Sequence, residues 1–147
     1  MSDSKNYKDW LKYAGEDLLL AEHELKLPED EIIVRGIIFN SQQASEKCLK
    51  AYLYYKNIES GKIHDLEKLQ DKCPVTDNEI KNYDFKNLNE LSIDIKYPGD
   101  LVIQSVAEAK EYFSIAKRFK EIVEKIIEMD INKRSEIMKA PGRGMGM

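Results

Sequence analysis

The chain has 147 residues, enough to bury one ordinary core and too few for two. Charged residues at 34% and apolar residues at 42% exclude a disordered chain, and four prolines and seven glycines, three of the glycines in the last six residues, leave a body poor in helix breakers. A net charge of -4 argues against a protein that grips nucleic acid by bulk electrostatics, although a local basic patch stays open.

From about Lys5 to Lys26, the residues Tyr7, Trp10, Leu11, Ala14, Leu18, Ala21 and Leu25 recur at three- and four-residue steps, which predicts a first long helix with one apolar stripe. His23 falls off that stripe and reads as a solvated surface residue. Pro28 ends the pattern. Glu29, Asp30 and Glu31 then place negative charge where a helix start favours it, so a second helix is expected from there to about Asn57. Its apolar residues, among them Val34, Ile37, Ile38, Cys48, Leu49 and Tyr52, cover most of its circumference. Such a helix is either central or carries an oligomer contact.

After Ser60-Gly61, the stretch His64–Leu69 predicts a short helix with Leu66, Leu69 and Cys73 inward, closed by Pro74. Thr76 and Glu79 form a capping-box pattern, opening a helix that carries Ile80, Tyr83, Leu88 and Leu91 to near Ile95. Pro98 and Gly99 mark a turn, and a last long helix is expected from near Asp100 to about Glu128 or beyond, on the stripe Val102, Val106, Ala109, Phe113, Ala116, Val123 and Ile127. No β pattern and no repeat is present. The expected fold is all-α: three long and two short helices in an antiparallel up-and-down bundle over residues 5–130, with residues 131–147 forming the helix end and a disordered tail.

Chemistry is sparsely supplied. Cys48 and Cys73 make no close pair and no secretory leader is read, so a reducing cytoplasm is the expected compartment. No apolar run approaches the roughly 20 residues of a membrane span. His23 and His64 are the only histidines, no Glu-x-x-His pair exists for a di-iron bundle, and neither a zinc-ligand spacing nor a phosphate-cradling glycine loop occurs. Neither a catalytic residue nor a metal or other cofactor is therefore expected.

One feature stands apart, a polar strip inside the hydrophobic second helix: Asn40, Ser41, Gln42, Gln43, Ser45, Glu46, Lys47 and Lys50. The plain reading is an exposed Glu/Lys face. The sharper one is a groove, since Gln42 or Gln43, Glu46 and Lys50 are spaced to line one ridge that accepts a polar ligand or a second protomer. His64 with Asp65 has the same ambiguity, either holding a backbone group at a helix start or touching a ligand.

Trp10 with Ala14–Leu18, then Phe39–Leu53 (FNSQQASEKCLKAYL), then Ile63-His64-Asp65-Leu66, then Lys96-Tyr97-Pro98 occur in that order. In this the chain resembles the HEPN family across about Tyr7 to Ile127. The resemblance implies an α-helical bundle like the substrate-binding subunits of nucleotidyltransferases. It also implies three activities. Some HEPN proteins are metal-independent ribonucleases in which a dimer joins an Arg to a His four to six residues later, near the start of the last long helix. Asp100–Lys110 contains neither residue, and none of Arg35, Arg118, Arg134 or Arg143 is followed by a His at that spacing. Such cleavage would lack its acid/base and its phosphate partner.

The other two implied activities are nucleotide binding and partnership with a small nucleotidyltransferase subunit, in a toxin-antitoxin pair or outside one. On matching positions the nucleotide contacts would be Asp17, Gln43, Glu46, Lys47, Lys50, His64 and Tyr97. For Asp17 and Tyr97 the plain alternatives are a helix-to-helix pair and a loop anchor. The leading expectation is a non-catalytic, cytoplasmic homodimer with a nucleotide or accessory role, its dimer contact running through Ile37 and Ile38 of the second helix. The rivals are a nuclease built on His64 with Lys50 and a purely structural dimeric adaptor.

Overall fold

The computed structural model describes residues 6–95 and 105–139. Among the described residues there are six α-helices: α1 (Tyr7–Leu25), α2 (Val34–Tyr55), α3 (Leu66–Asp71), α4 (Asn78–Lys81), α5 (Leu88–Ile95) and α6 (Val106–Lys139). Among the described residues there is no strand.

α1 starts at a reciprocal capping box. The Asn6 side chain accepts from the Lys8 and Asp9 amides at 2.8 and 3.3 Å, and the Asp9 carboxylate accepts from the Asn6 amide at 3.2 Å. α6 opens in the same way, with Ser105 and Glu108 exchanging bonds of 2.9 and 3.1 Å. α2 starts later than its acidic preface suggested. Glu29–Glu31 form a separate 3-10 turn, Ile32 and Ile33 are extended, and Glu24 takes the Ile33 amide at 2.7 Å, so the acids do not sit on the first turn of α2.

α1 lies antiparallel to α2 and to α6, with Tyr7 against Tyr55, Asp17 against Lys47, and Gly15 against Lys120. After α2 the chain returns to set His64 beside Glu46, α3 leads down to Asp77 beside Tyr52, and α4 and α5 climb back past Tyr83, which bonds Ile115, before α6 descends. α2 is the central element, packed on α1, α6, α5 and α3. That position accounts for its wide apolar circumference. Ile37 and Ile38 are both fully buried within the single chain, so they offer no surface for the expected dimer contact. The core they join includes Leu49, Tyr52, Leu53, Leu66 and Phe119.

The helix expected from Thr76 to Ile95 is broken in two. Tyr83 and Phe85, two residues apart, both turn inward to Phe119, with ring centroids 4.8 and 4.7 Å from it. A continuous helix would point them to different sides. The chain instead turns at Lys86, whose φ is +57°, while Asp84 accepts the Lys86 amide at 2.8 Å. Gln70 ties off the break by donating to the carbonyls of Ile80 and Tyr83 at 3.1 and 3.0 Å. The Thr76/Glu79 box does not form, because Thr76 lies within a 3-10 turn (Val75–Asp77) and α4 has no side-chain cap. The turn expected at Pro98 and the tail after residue 139 lie outside the described residues.

Candidate functional site

The polar strip of α2 is not an exposed face. Ser41, Gln42, Ser45, Glu46 and Lys50 are all buried. Gln42 and Glu46 are met by the segment after α2, which folds back and brings His64 against them, while Lys50 lies against Trp10 of α1. Ser41 and Ser45 donate to the carbonyls of Ile37 and Ser41 at 2.8 and 2.9 Å, satisfying themselves on their own helix. What they leave is a ridge at four-residue spacing: Gln42, Glu46, Lys50 and, one turn further, Tyr54.

Glu46 is the centre of that ridge. Its Oε2 receives Lys50 Nζ at 2.9 Å and lies 2.8 Å from His64 Nδ1. Its Oε1 is buried and, among the described residues, accepts no hydrogen bond. The side chains of Glu46 and Lys50 are each 6% exposed, whereas His64 is 73% exposed and covers the pair from the solvent side. A buried carboxylate is stable there only because a cation and further donors meet it. Held through Nδ1, the largely exposed imidazole has Nε2 left for a partner outside the pair.

The loop places His64 with care. Gly61 turns the chain at φ +59°, Gln42 Nε2 donates to the His64 carbonyl at 3.4 Å, and Asp65 caps α3 by accepting the Lys68 amide at 3.2 Å. The helix-start role therefore belongs to Asp65, and the His64 ring is left for Glu46.

On the other side of Lys50 stands Trp10 of α1. Lys50 Nζ lies 5.5 Å from the centroid of the indole, within cation–π range, and the Tyr54 ring is 6.1 Å from it, tilted by 43°. These two rings line a cleft of about 410 Å3 whose opposite rim is the loop from Asn57 to Gly61.

The other expected contacts separate from this cluster. Lys47, one residue past Glu46, is turned by about 100° around the helix. It pairs with Asp17 of α1 at 2.7 Å and clips those two helices together. Gln43 donates to Gln42 Oε1 at 2.9 Å and supports the ridge from the side. Tyr97 lies outside the described residues. Cys48, packed beside the Asp17 clip, has its thiol pushed well above the ordinary range by burial, so it is a core residue rather than a nucleophile. Among the described residues, no three His, Cys, Asp or Glu side chains gather as a metal site.

Sequence alone singles out Glu46, Lys50 and His64 but misses Tyr54, and it places Trp10 in an apolar stripe and in the family resemblance without giving it a site role. The signal for Tyr54 was its place four residues beyond Lys50 on the same ridge.

A family model described as HEPN domain matches residues 7–126. The chain belongs to the HEPN family. That match spans α1 to α5 and most of α6, so the ridge, the His64 loop and the Trp10 cleft all lie within the HEPN region. Comparison with curated proteins and with solved structures finds no match.

Proposed function

We propose that this chain is a non-catalytic HEPN protein that binds a nucleotide at the Glu46–Lys50–His64 cluster and serves as the accessory partner of a small nucleotidyltransferase, in a toxin-antitoxin pair or outside one. The observation that carries the reading is the shared carboxylate. One Glu46 oxygen is saturated by Lys50 and His64, and the other, buried beneath the His64 loop, has no hydrogen-bond donor among the described residues, a deficit that a small shift of the loop would let a ligand hydroxyl or amine fill. Above it, the doubly protonated form of His64 donates from Nδ1 to Glu46 and has Nε2–H left for a phosphate oxygen. Partnership with a nucleotidyltransferase rests on family membership.

A thermal-shift panel of ATP, GTP, CTP and UTP, with and without magnesium, tests the reading. A nucleotide at a hundred times its Kd adds about 2.7 kcal/mol, which raises the midpoint by several degrees in a domain of this size. A selective shift that disappears in His64→Ala supports it. No shift with any nucleotide refutes it.

Two other readings have observations behind them. Glu46 fixes the His64 ring through Nδ1, as an acid/base would need, so a nuclease predicts RNA cleavage that His64→Ala abolishes. Tyr13, Leu20 and Leu27 lie exposed at seven-residue steps, which favours a dimeric adaptor. For that adaptor, light scattering should find a dimer that Leu20→Glu separates.

A further inference from the structure

We propose that the cleft between Trp10, Tyr54 and the Asn57–Gly61 loop is a nucleobase pocket, taking the base of a mononucleotide whose ribose and phosphate face Glu46 and His64. The inference rests on the nucleotide-binding reading and adds to it where the base goes and why it is a base.

The chemistry of the walls decides the class of ligand. Trp10 and Tyr54 offer two aromatic surfaces, and Tyr54 is 38% exposed, leaving part of its ring free for a ligand. A volume of about 410 Å3 lies toward the small end of small-molecule sites and fits one nucleoside-sized group rather than a polymer. The rim is polar. Asn57 carries a side-chain amide that pairs with base edges through its donor and acceptor together, and Glu59 and Ser60 line the same rim.

Two charges narrow the choice further. Lys50 Nζ already lies 5.5 Å from the Trp10 centroid, so a cationic ligand on that ring would meet a like charge. Glu59 on the rim repels a phosphate inside the cleft. The group favoured there is planar, neutral and rich in hydrogen-bonding edges, as a base is. Phosphate belongs at Nε2 of His64. The two halves adjoin, because Lys50 touches both Trp10 and Glu46, and Ser60 and Gly61 lead directly to His64.

Trp10 is the only tryptophan, so its fluorescence reads the cleft directly. The full chain would be titrated with each of the four nucleoside monophosphates, with the free nucleosides, with ribose 5-phosphate, with methylammonium and with a short single-stranded RNA, following both fluorescence and heat. Expected are quenching by at least one monophosphate and its nucleoside, and none by ribose 5-phosphate. Tyr54→Ala should weaken that binding roughly ten- to a hundredfold, the usual worth of one base on one ring. Asn57→Gly, which keeps the positive φ of +59° while removing the amide, should even out the affinities for the different bases. Circular dichroism confirms that both variants fold.

Full-strength binding of monophosphates by a folded Tyr54→Ala protein, with no Trp10 response in wild type, overturns the base pocket while leaving the nucleotide reading intact. Tighter binding of methylammonium or of RNA than of any mononucleotide overturns the class of ligand. Binding of nothing in the panel overturns both.

Discussion

Removing the Lys50 ammonium while keeping most of its stem, as Lys50→Met does, leaves a carboxylate that is 6% exposed with no cationic lysine, only the exposed His64 ring beside it. At 2.9 Å the two charges attract by about 6 kcal/mol at an effective dielectric of about 20. Most of that attraction offsets the cost of taking both groups out of water, so the pair itself adds little. Breaking it is another matter. One uncompensated buried charge costs about 3–5 kcal/mol. In a chain of 147 residues, where each kcal/mol moves the midpoint by about 3 °C, Lys50→Met should lower Tm by about 9–15 °C. The double variant Glu46→Leu/Lys50→Met, which removes both charges, should return to within about 1 kcal/mol of wild type. Calorimetry and urea unfolding on the four proteins of this cycle give the answer. A Lys50→Met protein that loses less than about 1 kcal/mol would show that water reaches Glu46 and that the ridge is not a buried pair.

Asp17→Asn should cost about 1 kcal/mol through the α1–α2 clip and leave nucleotide affinity unchanged, which calorimetry separates from the effect of His64→Ala. Ile38→Ala should cost about 2–4 kcal/mol by opening a cavity in the core, seen in urea unfolding at the same value across protein concentrations if no interface is involved. Lys86→Gly should stabilise by about 0.5–1 kcal/mol in the same assay, since Lys86 holds φ +57° and its side chain makes only an exposed 3.9 Å pair with Asp84. The hydrogen bond from Tyr55, followed by that from Arg134, holds the Asp130 carboxyl below its ordinary range. Its stabilisation is therefore full above the unfolded carboxylate pKa of about 3.9 and fades as pH falls through the lower folded value. Tyr55→Phe should be less stable than wild type near pH 7, with the gap closing in acid; an unchanging gap from pH 7 to pH 2 would refute the linkage.

The stripes of α1, α2 and α6 were legible because a helix repeats its buried positions every three to four residues, and Ala14, Leu18, Ala21, Ala109, Ala116, Val123 and Ile127 all reach the core as that rule requires. Gln42, Glu46 and Lys50 were legible as one ridge for the same reason. Their burial was not, since whether a polar strip faces water depends on a loop 20 or so residues later in the chain. Likewise the break at Tyr83–Phe85 is set by Phe119, more than 30 residues away, and no local pattern contains it. Trp10 and Lys50 meet only because α1 and α2 run antiparallel.

The ridge on α2 also limits how this segment can change. Its amide, carboxylate, ammonium and phenol follow one another at one side chain per turn, about 6 Å apart along the axis. A single residue inserted before Gln42 would rotate all four by about 100°, out from under the His64 loop and toward the flank now held by Lys47. Substitutions would alter the site one group at a time, but a one-residue insertion would exchange it whole. The spacing of α2, more than any one of its side chains, is what descendants of this protein must keep.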